Sequence, residues 1–349
     1  MFNTSPANGS RIEWTGRTWN PVTGCTEVSP GCDNCYARTF AERWRGTPGH
    51  PYERGFDVQL RHARLLQPLR WAGAQTVFVN SMSDLFHADV PEEFIAHVFA
   101  VMGLCGHTFQ VLTKRHGCAR ALLNDPEFRQ LVLDIAEATV EEVPAAANRE
   151  VPRSWPLPNV WLGVSAETQQ WADIRIPALL ATPAAVRFVS AEPLLGPLDL
   201  SAWTRPQPGC FHTDSDGLCA HPLAGTPECH RGADCPVTPR YQGIDWVIVG
   251  GESGPGARPL DPTWVADLVT HCTVTGVPVF VKQLGAVWAR ESGAGRGKGN
   301  DPLRWPADLR VRQFPTPGAD DDHNLQTTAE CLRWLNSGRQ HPVIGRSVT

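Results

Sequence analysis

Cys25, Cys32 and Cys35 stand in the run VTGCTEVSPGCDNCYART with the spacing C-x6-C-x2-C, directly ahead of the helix-compatible stretch ARTFAERW. Two close cysteines alone would be a weak signal, but three on one turn-rich loop form a donor set. Such a set can hold a tetrahedral metal with a fourth ligand from elsewhere, or an iron–sulfur cluster with one iron left open. An open iron suits the amino and carboxylate groups of S-adenosylmethionine. Electron transfer from the cluster would then cleave the sulfonium to a carbon radical.

Further polar groups recur at the ends of apolar runs. They are Ser81, Ser83 and Asp84 in NSMSDLF, Lys114 and Arg115 in LTKR, Ser165 and Glu167 in VSAE, Glu192 in SAEP, Glu252 and Ser253 in GGESG, and Lys282 and Gln283 in VKQL. One such residue is ordinary solvation or helix capping. Six successive runs that each deliver one predict a polar cavity. Carboxylates such as Asp84, Glu167 and Glu192 offer acceptor-only oxygens to a ribose diol, which assigns them to the cofactor side. Glu252 and Lys282 are assigned to the reacting side, where a desolvated lysine can donate a proton or anchor a phosphate. A salt bridge to a neighbouring glutamate is the equal alternative for Lys282.

The runs that must position these groups are TWNPVTG, TVFVNS, TFQVLTK, NVWLGVS, VRFVSAE, DWVIVGG and PVFVKQ. Each reads as a short buried strand. Helical stretches lie between them, including PEEFIAHVFAVMG from Pro91, QQWADIRIPALLA from Gln169 and PTWVADLVTHC from Pro262. This alternation predicts an α/β fold with a parallel sheet covered by helices. The absence of a G-x-G-x-x-G fingerprint favours a partial (β/α) TIM-like barrel over a doubly wound sheet.

Two intervals exceed one βα unit. The stretch from Glu137 to Pro158 is acidic and then proline-rich, and reads as a solvated linker. The stretch 205–242 is Cys/His-rich, with Cys210, Cys219, Cys229 and Cys235 at a spacing of C-x8-C-x9-C-x5-C. It has no apolar periodicity from which to make its own core. Zinc or an auxiliary cluster on these four cysteines would order it, although the spacing fits no standard zinc finger. The chain thus divides into 1–204, the first part of the barrel with its cysteine loop; 205–242, the insertion; and 243–349, the rest of the barrel with a basic, Trp-bearing C-terminal segment.

With 349 residues and 42% hydrophobic composition, the chain can bury a sizeable core, and its net charge of −5 confines any nucleic-acid contact to a local patch. Eleven cysteines are an odd number, and the first residues contain no apolar leader core. A secreted disulfide framework is disfavoured, and a reducing, cytoplasmic location is expected. No apolar run is long enough to span a membrane.

The segments IEWTGRTWNPVTGCTEVSPGCDNCYA, FVNSMSDLFH, FQVLTKR, NVWLGVSAE, RFVSAEPLLGP, DWVIVGGESGPGARP, VPVFVKQLG and DPLRWPADLRVRQFP resemble, in that order, the phage-associated three-cysteine-motif proteins. That family has a domain of unknown function and is related to the radical S-adenosylmethionine superfamily. The resemblance implies a partial barrel of the radical S-adenosylmethionine type with a [4Fe–4S] cluster on Cys25, Cys32 and Cys35. It also implies an electron donor for that cluster. The C-x2-C-Y-A loop and the T-K pair are similar to the spore photoproduct lyase branch, which acts on a DNA lesion. There, a serine after the second strand, the lysine of the T-K pair and a serine after the fourth strand contact S-adenosylmethionine; the matching positions are Ser81 or Ser83, Lys114 and Ser165. The first cysteine spacing is longer than the commonest radical-enzyme pattern, C-x3-C-x2-C, which keeps zinc open as the occupant.

Two classes of function follow. One is an enzyme that starts radical chemistry on a nucleic-acid base or nucleotide. The other is a zinc-dependent structural or binding protein of phage origin.

Overall fold

A computed structural model describes residues 10, 12–204, 243–254, 256–295 and 297–315. The insertion cysteines Cys210, Cys219, Cys229 and Cys235 lie outside the described residues.

In chain order the elements are β1 (Arg17–Trp19), β2 (Val22–Thr23), α1 (Tyr36–Glu42), β3 (Gln59–Leu60), α2 (His62–Leu65), β4 (Thr76–Val79), α3 (Glu92–Gly103), β5 (Thr108–Thr113), α4 (His116–Asn124), α5 (Pro126–Glu142), β6 (Val160–Ser165), α6 (Gln169–Leu180), β7 (Val186–Ala191), α7 (Ser201–Thr204), β8 (Trp246–Gly250), α8 (Pro262–Thr275), β9 (Val279–Gln283) and α9 (Gly285–Glu291). Seven strands form one sheet in the order β1-β4-β5-β6-β7-β8-β9, and every pairing in it is parallel. The sheet curls into a half-barrel. Six of its strands are runs read from the sequence; the first run, TWNPVTG, is divided, with Thr18 and Trp19 ending β1 and Val22 and Thr23 forming β2 of another sheet. The hairpin of β2 and β3 forms a separate two-stranded sheet beside it.

The strands alternate as the two-residue period requires. Val77, Val79, Phe109, Val111, Leu162, Val164, Val189, Val247, Val249, Val279 and Val281 join the larger core beneath the helices. Phe78, Trp161, Phe188, Trp246, Ile248 and Phe280 point the other way and join Trp14 in an interior cluster. Trp246 is its hub, with ring centroids 6.0 Å from Trp161, 5.7 Å from Phe188 and 6.4 Å from Phe280. Gly163 makes room for it, because a Cβ there would sit 2.4 Å from the Phe188 ring. These rings lie towards the N-terminal ends of the strands. The next inward positions towards the C-terminal ends are polar: Lys114, Ser165, Ser190, Glu192 and Lys282. The half-barrel is therefore an aromatic floor under a polar layer.

The C-terminal segment closes the floor. Phe314 packs 5.4 Å from Trp246 and 5.2 Å from Phe280, while the Trp246 indole donates to the Gln313 carbonyl at 2.9 Å.

Two helix ends are set by their capping residues. Asp125 caps α5 by accepting from Glu127 N at 2.8 Å. Gly276, with φ 74°, ends α8 in the left-handed conformation.

The stretch from Glu137 to Pro158 corrects the linker reading. Its acidic start is the last part of α5, and Ala146 and Leu157 are buried in the core. Arg149 donates to the carbonyls of Leu104 and Leu69 at 2.8 Å each, and the Trp155 indole donates to Leu123 O at 3.1 Å. The prolines bend a segment that packs on the barrel. Among the described residues, no helix is long and apolar enough to cross a membrane.

Candidate functional site

The cysteine loop leaves β2 through Gly24. Its φ is +90°, and a Cβ would overlap the Asp57 carbonyl oxygen at 2.1 Å, so only glycine allows this turn into Cys25. Cys25 N donates to Phe56 O at 3.2 Å, and Gly24 pairs with Ser83 in an isolated parallel bridge. A single 3-10 turn, Pro30–Cys32, then leads to Cys35 and α1. Cys25, Cys32 and Cys35 are free, partly exposed thiols.

Two buried carboxylates bind this loop to the barrel. Glu167, which follows β6, is fully buried; one oxygen pairs with Arg175 at 2.8 Å, and the other accepts from Gly31 N at 3.3 Å and from the Ser29 hydroxyl. Arg175 is equally buried. It donates to Ser165 O at 2.9 Å and lies 4.2 Å from the centroid of the Trp171 ring. Glu252, after β8, accepts from the side-chain amide of Asn34 at 2.9 Å, from Arg258 N at 2.8 Å and from the Arg258 guanidinium. Arg258 continues to Asp33 at 3.0 Å and to Pro30 O at 2.7 Å. Burial works against the Glu252 anion, but the hydrogen bonds from Arg258 and Asn34 prevail and hold its carboxyl below the usual glutamate range. Arg38, one turn into α1, adds bonds to the carbonyls of Cys32 at 3.1 Å and Asp33 at 3.0 Å.

Beneath the loop, Lys114 Nζ donates to Ser165 Oγ at 3.1 Å. The turn before Cys32 rests on this lysine: a Cβ on Gly31 would lie 3.3 Å from Lys114 Cε and 3.0 Å from the carboxyl carbon of Glu167. Across the mouth, Lys282 Nζ pairs with Glu192 at 3.0 Å, realising the salt-bridge alternative read from the sequence. Ser190 Oγ donates to the other Glu192 oxygen at 3.3 Å. Gly250 leaves the necessary space, since a Cβ there would stand 2.7 Å from Glu192 Oε1.

Most of the remaining sequence candidates act on the backbone, and Ser81 pairs with a side chain. Asp84 accepts from Thr113 Oγ1 at 2.8 and 3.0 Å, from Phe86 N at 3.1 Å and from Lys114 N at 2.9 Å, so its carboxylate fixes the start of the Lys114 turn. Ser83 Oγ donates to Val22 O at 2.8 Å, and Ser81 Oγ shares a 3.2 Å hydrogen bond with the Asn20 side chain. Gln283 donates to Gly251 O at 2.7 Å.

Near Cys25, Arg115 donates to Thr26 Oγ1 at 2.8 Å and to Thr26 O at 3.2 Å. Burial and the Asp84 carboxylate push the Cys25 thiol up to about 11, against the opposing pull of Arg115.

Sequence reasoning missed Arg175, Arg258 and Asn34. A signal existed for Arg175: it shares the stripe Ala172, Ile176 and Leu179 on α6, and an arginine on the apolar face of a helix requires a buried partner. Arg258 and Asn34 lie in irregular segments and carry no periodic signal.

Among the described residues, no three His, Cys, Asp or Glu side chains converge on a point as a single metal ion requires. Cys25, Cys32 and Cys35 share one loop, and one thiolate per iron is what an iron–sulfur cluster would take from them. The donors are sulfurs with no protein acid among them, a set that zinc and iron–sulfur clusters both accept.

No curated protein and no solved structure matches the chain. A family model described as a protein of unknown function (DUF5131) matches residues 9–324. This span takes in the cysteine loop and all seven strands of the half-barrel, and the chain belongs to that family.

Proposed function

We propose that the chain is a radical S-adenosylmethionine enzyme acting on a nucleic-acid base or nucleotide, in modification or repair. The observation that carries this reading is the Gly31 turn resting on Lys114, which brings the Cys32 side of the cysteine loop against the Lys114–Ser165 pair. Cys25, Cys32 and Cys35 would hold a [4Fe–4S] cluster, supplied with electrons by a partner protein or small reductant. When bound, the cluster supplies the electron that cleaves S-adenosylmethionine to a carbon radical.

The chain's own residues divide the remaining work. Lys114 anchors the cofactor carboxylate by a charge-assisted hydrogen bond, with Ser165 as its neighbour. Ser81 and the acceptor oxygens of Glu192 face the rest of the cofactor, while Asp84, Ser83 and Glu167 hold the backbone that aims them. Lys282 is 18% exposed and paired with Glu192, so an incoming anion can take Glu192's place and receive its hydrogen bond or proton. Glu252 acts as a positioning residue for the loop. The aromatic floor excludes water from below, which protects a radical from quenching. A cytoplasmic, reducing location keeps the three thiols available.

Anaerobic reconstitution with iron and sulfide tests the reading. It predicts a brown protein with broad absorbance near about 400 nm. A protein that takes up zinc at these thiols and no iron would instead support the zinc-dependent binding class.

A further inference from the structure

A row of aromatic side chains runs outward from the barrel mouth along α1. Tyr36 and Phe40, at i and i+4, share one face of α1, Trp44 follows in the turn two residues past the helix end, and the three are 56%, 44% and 37% exposed. The segment after α1 extends the row. Tyr52 meets Phe40 edge-on at 5.5 Å, and His50 stacks on Trp44 at 4.2 Å with ring planes 18° apart. The inner end of the row is fixed at the site, where the Tyr36 hydroxyl donates to Ser81 O. Large exposed rings in such number have no role in the core beneath them.

The charge of the same stretch differs from that of the whole chain. Residues 36–64 hold six arginines, no lysine and three carboxylates, in a protein of net charge −5. The carboxylates are engaged locally: Glu42 and Asp57 both pair with Arg45, and Glu53 accepts from Gly49 N at 3.1 Å. Arg43 is exposed and has no carboxylate partner among the described residues, and Arg54, 68% exposed, reaches Asp57 only at 4.0 Å. Arg61 lies 6.0 Å from the centroid of the Tyr52 ring.

We infer that this face binds single-stranded nucleic acid, with bases stacking on Tyr36, Phe40, Trp44 and Tyr52 and phosphates meeting Arg43, Arg54 and Arg61. Aromatic rings beside a line of arginines are what a sequence-tolerant single-strand platform requires, because every base has a π face and every nucleotide a phosphate. A duplex keeps its bases stacked inside and gives these rings nothing to stack on. The inference deepens the proposed function and rests on it only for what happens at the mouth: it makes the substrate a polymer strand led to the site by Tyr36, rather than a free nucleotide.

Fluorescence anisotropy of the full-length chain with labelled 15-nucleotide single-stranded DNA, single-stranded RNA and duplex DNA tests the inference. Single strands of either sugar are expected to bind and duplex to bind more weakly, with an unlabelled mononucleotide failing to compete. Trp44→Ala and Phe40→Ala should each weaken binding about 5- to 100-fold, the range for one lost base–aromatic stack. Arg43→Ala should lower the slope of log K against log salt by about 0.7, for one phosphate contact on a single strand. All three positions are exposed, and unchanged thermal unfolding will show that the variants fold. Parent-like affinity in all three variants, or duplex binding as tight as single strand, overturns the inference. Self-association through this face, abolished by Trp44→Ala and unaffected by oligonucleotide, also overturns it. Cleavage of S-adenosylmethionine without strand binding refutes the platform alone; strand binding without cleavage refutes the enzymatic reading alone.

Discussion

Lys114, directly after β5, and Ser165, the last residue of the neighbouring β6, meet in a 3.1 Å hydrogen bond, with the turn before Cys32 resting on the same lysine. If the lysine holds the cofactor carboxylate, Lys114→Ala weakens S-adenosylmethionine binding by about 1.5–3 kcal/mol, as for a lost hydrogen bond to a charged group. Equilibrium dialysis on cluster-loaded protein measures this, and the iron content should stay at the parent level. Unchanged affinity removes Lys114 from the site.

The Glu167–Arg175 pair is fully buried and joins β6 and α6 to the cysteine loop. Arg175→Ala leaves a buried carboxylate without its partner, a change that costs about 3–5 kcal/mol. Urea unfolding of the metal-free chain reads this loss. A midpoint close to the parent's would mean that Glu167 finds another cation.

Acid should loosen the loop through Glu252. Its folded-state pKa is lowered, since the bonds from Arg258 and Asn34 outweigh the effect of burial. A depressed pKa contributes stability that is complete above the unfolded value and lost as pH falls through the folded one. The loop should therefore be held fully at pH 7, begin to weaken below about pH 4.3, the ordinary glutamate value, and be released as pH falls through the lowered folded value. Hydrogen exchange over residues 30–36 follows the release, and Glu252→Gln should flatten it. An unchanged acid profile in that variant would assign the release to another group.

The aromatic floor can be disturbed without touching the mouth. Gly163→Ala places a methyl 2.4 Å from the Phe188 ring, an overpacking expected to cost about 1–3 kcal/mol. Thermal unfolding should show the loss while iron uptake is unchanged. A neutral result would mean that Phe188 has room to turn.

The run TWNPVTG is split at Asn20 and Pro21 between β1 and β2, whereas the other six strands of the sheet were legible because each is a short β-branched or aromatic run closed by a polar end, and α3, α6 and α8 follow from their apolar spacing. The hairpin of β2 and β3 was not, because two residues on each side leave no periodicity to detect. The stretch from Glu137 to Pro158 misled through composition: its acids are the exposed side of α5, and its prolines belong to a segment that Arg149 and Trp155 bind to the core. At the site, the strand-end rule found Lys114, Ser165, Glu192 and Lys282 together. The rule could not separate groups that face the mouth from groups spent on the backbone. Asp84 and Glu252 have the same strand-end placement, and only their partners, Thr113 for one and Arg258 with Asn34 for the other, reveal a positioning role.

Cys25, Cys32 and Cys35 are proposed to hold a cluster that opens S-adenosylmethionine beside Lys114. The most direct measurement is chromatographic detection of S-adenosylmethionine cleavage by the anaerobically reconstituted, chemically reduced chain, with Cys32→Ala alongside. The account predicts about 4 iron per chain from this loop, cleavage by the parent, and loss of both cluster and cleavage in the variant. Full iron content in Cys32→Ala, or a parent protein that carries its cluster and leaves S-adenosylmethionine intact, would contradict it.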